Sequence, residues 1–121
     1  MKITRLFSDE HNHSVFEDFE IELRNAGEIG NLSKRYLVKE MIFRETGGDY
    51  DYDFHNAPER QFVILLDGEI EIETSSGERR RFSAGEILLV EDTTGNGHKS
   101  RSIDGQLRRS LFITLENYDI I

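Results

Sequence analysis

Along much of this chain, hydrophobic and polar residues alternate with the two-residue period of a half-buried β-strand. In residues 16–23 (FEDFEIEL), Phe19, Ile21 and Leu23 share one face, while Asp18, Glu20 and Glu22 take the other. Residues 36–45 (YLVKEMIFRE) form a second extended run, ended by Gly47-Gly48. Residues 61–66 (QFVILL) are apolar almost throughout, which predicts a strand covered on both faces. Asp67-Gly68 supplies the chemistry of a tight hairpin turn, and residues 69–74 (EIEIET) return with strict alternation. Four more runs, at 79–82, 87–90, 99–103 and 107–115, follow Ser75-Ser76-Gly77, Ser83-Ala84-Gly85 and the loop 93–97.

Residues 24–34 (RNAGEIGNLSK) contain two glycines and no stripe of period 3.6, and read as a loop. Eight or more short strands with closely spaced turns and no helix predict an all-β sandwich or barrel. The 121 residues suit one domain: an N-terminal strand and loop over 1–35, then a barrel core over 36–116.

Composition narrows the functions. With 36% hydrophobic residues, eight Phe and four Tyr among them, the chain has enough apolar material for a core. It has no cysteine, which excludes disulfides, thiolate metal sites and a cysteine nucleophile. A formal net charge of -9 opposes binding to phosphate backbones and anionic membrane surfaces. Arg79-Arg80-Arg81 sits just after a turn and reads as a solvated strand end. Residues 1–8 carry Lys2 and Arg5 with no apolar segment behind them, and no run approaches the roughly 18 residues of a membrane helix. The expectation is a cytoplasmic protein with no nucleic-acid or membrane partner.

The segment from Gly48 to Ser102 resembles the cupin family. That family's first motif is G-x5-H-x-H-x3-E-x6-G. Here Gly68 closes it, Gln61 stands at the Glu position, Ala57 at the second His and His55 at the first, with Gly48 one residue early. The second motif is G-x5-P-x-G-x2-H-x3-N. Gly85 opens it, Glu91 replaces Pro, the connection is two residues longer, and Gly95, His98 and Ser102 complete it.

The resemblance implies a cupin-type jelly roll, a double-stranded β-helix barrel, with its ligand positions at the barrel mouth. It also implies one divalent metal (Fe, Mn, Ni or Zn) held by His55, Gln61 and His98, and dioxygenase or isomerase chemistry on a small organic ligand. Two alternatives stand beside it. A metal-free cavity suits a His-dependent isomerase or epimerase, because imidazole titrates near neutrality. The same cavity also suits a non-catalytic binding module.

Two further side chains join the expected site. Arg44 interrupts the apolar run MIFRET and is the candidate to reach the interior, where its planar fork suits a carboxylate. In Asp49-Tyr50-Asp51-Tyr52-Asp53 the carboxylates share one face and the tyrosines the other, as in an acidic solvent-facing edge with the tyrosines packed inward; the functional reading has Tyr52 or Asp53 at the pocket mouth as a ligand-orienting group. The other H-x-H, His11-Asn12-His13, lies in a polar stretch without the glycine spacing and is not part of the expected site. No Ser-His-Asp order, phosphate-binding loop or dinucleotide fingerprint occurs. A homodimer is expected, with residues 16–23 as the pairing edge.

Overall fold

The computed structural model describes residues 1–116 and is built from strands with a single short 3₁₀ turn. In chain order the elements are β1 (Lys2–Ser8), β2 (Ser14–Glu20), β3 (Arg24–Asn25), the 3₁₀ turn (Gly27–Ile29), β4 (Asn31–Leu32), β5 (Val38–Thr46) and β6 (Asp51–His55). There follow β7 (Gln61–Leu65), β8 (Glu69–Thr74), β9 (Arg79–Ser83), β10 (Ile87–Val90), β11 (His98–Ser102) and β12 (Arg108–Leu115). They form a six-stranded sheet ordered β2-β1-β10-β7-β12-β5, a four-stranded sheet ordered β6-β11-β8-β9, and the small pair β3-β4. The sheets stay separate and do not close into a barrel. No helix is long and apolar enough to cross a membrane.

Alternation explains the packing. Ile70, Ile72 and Phe82 of the four-stranded sheet meet Leu6, Val63, Leu65, Leu88 and Val90 of the six-stranded sheet in one core. The opposite face of the six-stranded sheet carries a second cluster, Ile3, Leu89 and Leu115, packed with Phe19, Ile21, Tyr36 and Phe62. Strands β7 and β10 therefore contribute to both clusters, which is why QFVILL and ILLV carry apolar residues at consecutive positions.

Four sequence expectations need correction. The Asp67-Gly68 turn does not close a hairpin: β7 pairs with β10 and β12, whereas β8 pairs with β9 and β11. Gly68 instead carries the chain from one sheet to the other, with φ +69° and a position where a Cβ would lie 2.7 Å from Arg108 Cβ. Residues 24–34 are not wholly loop, since Arg24 and Asn25 pair with Leu32 and Asn31. The first strand runs from Lys2, so the barrel-core boundary at residue 36 leaves out two strands of the main sheet. Strand β1 lies between β2 and β10, parallel to β10. Its apolar residues escaped the period-2 reading because Ile3 and Leu6 serve opposite faces. Finally, β2 ends at Glu20, short of residue 23, and Phe16 faces the inter-sheet core while Phe19 faces the outer cluster.

Candidate functional site

Between the two large sheets lies a cavity of about 460 Å³. Its apolar wall comes from inward positions of β7, β8 and β10, including Val63, Leu65, Ile70, Ile72, Leu88 and Val90. Polar groups interrupt this wall in two places, the usual composition of a small-molecule site. All five expected site residues, Arg44, Tyr52, His55, Gln61 and His98, line this one cavity.

At one end the two imidazoles face each other. His98 and His55 are cross-strand partners on β11 and β6, with ring centroids 4.4 Å apart. Beyond them the register shifts: Ser100 pairs with Tyr52, so β6 carries one extra residue. This bulge turns Tyr52 to the same side as His55, a placement that strict alternation forbids, and the rings stack with centroids 4.2 Å apart. Gly97 allows the approach. A Cβ there would lie 2.3 Å from the His55 carbonyl oxygen, and its φ of +78° suits glycine alone.

Each imidazole is oriented through Nδ1. His55 Nδ1 donates to the Asp53 carbonyl at 2.7 Å, and His98 Nδ1 donates to Asp92 Oδ2 at 2.5 Å. Asp92 is fully buried, and the same oxygen accepts from Ser14 Oγ at 2.7 Å. Both rings are thus fixed in the tautomer that leaves Nε2 without a hydrogen when neutral. Burial lowers the His55 pKa below the ordinary 6.5; the bond to Asp53 opposes this, and His98 reinforces it. His55 is therefore neutral at physiological pH.

The second polar part of the wall holds two guanidinium groups, linked to the first through Tyr50 and Tyr52, whose ring centroids lie 6.2 Å apart. Arg108 on β12 is 4% exposed, and Arg44 on β5 lies at the more open rim. The register sets Thr46 opposite Arg108 and Arg44 opposite Ser110, so all four side chains share the inward face. The Tyr50 ring serves both cations, with Arg44 Cζ 5.6 Å and Arg108 Cζ 5.4 Å from its centroid. Its hydroxyl is tied to Ser100 Oγ at 2.9 Å. Burial lowers the Arg108 pKa, the Tyr50 hydroxyl acts against that, and the Arg44 charge lowers it further. The group remains a cation nonetheless.

The four positions matching the cupin ligand set, 55, 57, 61 and 98, all open onto this cavity. The donor set nevertheless does not fit a resident divalent ion. Only two imidazoles are strong donors, Ala57 has no donor atom, Gln61 offers a neutral amide, and two arginines bring positive charge. Among the described residues no group of three or more His, Asp or Glu side chains is placed to hold a metal.

Sequence reasoning missed Asp92, Ser14, Tyr50 and Arg108. Asp92 and Ser14 sit 78 residues apart, and no local pattern joins them. Arg108 was concealed by a misleading alternation. On β12 the apolar series Leu111, Ile113, Leu115 looks like the inward face, yet Arg108 and Phe112 line the cavity and Leu115 joins the outer cluster.

No protein-family model matches the sequence, and no curated protein matches it. Among solved structures, the chain is similar to a conserved protein of unknown function from Streptococcus pyogenes. The TM-score is 0.52 at 16% identity, over 72% of this chain and 71% of that one. A protein from Neisseria meningitidis aligns at TM-score 0.49 and 20% identity, over 69% of this chain and 88% of that one. The first likeness is one of fold, and the fold is all-β.

Proposed function

We propose that this chain is a small cupin-type jelly roll that binds a small carbonyl compound between its sheets and moves a proton next to the carbonyl, without a metal. Support for the fold comes from the turns at Gly68 and Gly85, which pass the chain between the facing sheets, and from the convergence of positions 55, 57, 61 and 98 on one cavity. The observation that carries the chemistry is the buried pair of His98 and Asp92, with His98 on the cavity wall.

In this reading His98 is the catalytic base. Nε2 takes the proton from the carbon beside the carbonyl, and the electron pair moves onto the carbonyl oxygen. The carboxylate of Asp92 offsets the positive charge then carried by the ring. Return of a proton from His98 Nε2 to the same carbon completes an exchange, and its delivery to the neighbouring carbon, with the enediol proton passing between the two oxygens, gives isomerisation. The Gln61 amide and the Tyr52 hydroxyl are the donors available to the enolate oxygen. His55 lies against His98 on the β6 side, with the two rings tilted at 57°. A homodimer belongs to the same proposal. Both β2 and β5 are edges of the six-stranded sheet, and β5 is the better-suited one, with Phe43 78% exposed.

The test is hydrogen exchange. In D2O, proton NMR on a panel of small ketones, aldoses and 2-oxo acids should show exchange at the carbon beside the carbonyl. His98→Gln should slow it by about a hundredfold. Equal exchange with wild type and variant would overturn the reading. A non-catalytic binding module is the second reading. It is favoured by the bond from Ser14 to Asp92, which gives the His98 pair a purely architectural use in anchoring the N-terminal hairpin. Under it, bound carbonyl compounds are recovered without deuterium.

A further inference from the structure

The second polar end of the cavity has no role in proton transfer, and its composition is unusual for a protein interior. Four buried side-chain polar atoms among the described residues lack a hydrogen-bond partner: Thr46 Oγ1, Asp92 Oδ1, Arg108 Nε and Ser110 Oγ. Three of the four lie together on facing positions of β5 and β12. Buried polar groups are nearly always satisfied, so a cluster of orphans is informative. A buried cation without a counter-charge is costlier still. Among the described residues no carboxylate pairs with either Arg108 or Arg44, although this acidic chain carries 24 Asp and Glu. Two half-buried cations outside the cavity are treated differently: Arg5 and Arg60 both bind Glu91.

We infer that Arg108 and Arg44 form the recognition site for a carboxylate on the ligand, so that the cavity takes a small organic acid with an apolar body. This names the substrate class of the proposed reaction and rests on that reading only for what happens at the His98 end. A carboxylate fits for three reasons. The guanidinium fork matches its planar oxygens, and both cations sit within 5.6 Å of the Tyr50 ring centroid, close enough for one carboxylate to reach the two. One negative charge relieves the repulsion between the two cations. The apolar wall of Val63, Leu65, Ile72, Leu88 and Phe112 then covers a hydrocarbon or aromatic body. Phosphate is the poorer match, since no lysine and no loop of converging backbone amides lines the cavity.

The experiment is calorimetric titration with 3-phenylpropionate, 3-phenylpropionamide and phenyl phosphate. Wild type should bind the acid at least tenfold more tightly than either of the others. Arg44→Gln, at the rim where folding is not at stake, should weaken the acid by about tenfold. Arg108→Lys, which keeps the charge but not the fork, should weaken it by more. Neither variant should change binding of the amide. Equal binding of acid and amide, tighter binding of the phosphate, no binding of the acid, or unchanged acid binding in both variants would each overturn the proposal. His98→Gln separates the two claims. Arginine-dependent acid binding that survives in that variant, without deuterium exchange in wild type, keeps the anion site and removes the proton transfer. Exchange that requires His98 and ignores both arginines does the reverse.

Discussion

His98 and Arg108 are buried almost equally, at 6% and 4% exposure, on the walls of one cavity, yet the chain treats them in opposite ways. Behind His98 stands a carboxylate, itself held by Ser14 from a strand at the far edge of the other sheet. Behind Arg108 stand Thr46 and Ser110, whose hydroxyl oxygens are unpartnered like its own Nε. A satisfied buried group costs the fold little and is fixed in direction. An unsatisfied one is costly, and its persistence asks for a ligand that completes it. The His end leaves one atom unpartnered, Asp92 Oδ1, on a carboxylate that already holds two donors, whereas the Arg end leaves a guanidinium nitrogen and both neighbouring hydroxyls unpartnered.

The sharpest break of this comparison is at Asp92. Asp92→Ala strips two buried donors, Ser14 Oγ and His98 Nδ1, of their shared acceptor. It should lower stability by about 2–5 kcal/mol, since each buried donor left without an acceptor costs about 1–3 kcal/mol. Urea denaturation followed by circular dichroism reads this directly. A loss below about 1 kcal/mol, typical of an ordinary net hydrogen bond, would mean that the His end is not held by this network.

Arg108→Met should move stability the other way, and by less. Replacing an uncompensated buried cation with an apolar side chain of similar length removes a desolvation cost and leaves no charge behind. A gain of about 1–2 kcal/mol in the ligand-free protein is expected. The same variant should lose binding of 3-phenylpropionate. If the ligand-free variant is instead less stable than wild type by a similar amount, then Arg108 is satisfied in solution and the contrast between the two ends collapses.

How much of this was legible beforehand follows from the range of the signals. Alternation is local, so the strands at 69–74 and 87–90 were readable to the residue, as was the double burial of QFVILL. Sheet membership is not local. Asp67-Gly68 has the residues of a hairpin turn, and nothing in those positions says that β7 and β8 part to different sheets. For the site, the spacing of Gly68, Gly85 and Gly95 around His55, Gln61 and His98 was enough to gather those three. It was silent on Asp92 and Arg108, because their roles depend on what faces them across the cavity. Tyr52 reached the site through a bulge, and period-2 reasoning has no means of foreseeing one.

The smallest effect is one of pH, and it ties the two ends together. Burial depresses the His55 pKa below 6.5 in the folded chain, so between the two values the unfolded chain binds the proton and the folded chain does not. Stability then falls as pH drops through about 6.5, and this contribution stops changing below the folded pKa. In His55→Gln that component is absent, so the stability gap between wild type and variant should shift towards the variant as urea midpoints are taken from about pH 8 down to pH 5. An unchanged gap across that range would mean that His55 titrates normally. Arg44 is one of the charges that hold this pKa down. A carboxylate bound between Arg44 and Arg108 offsets that charge, so saturating 3-phenylpropionate should make the acid-side slope of wild type shallower. The same addition should raise the stability of His55→Gln without changing its acid-side slope, because there the anion has no titrating imidazole at position 55 to act on.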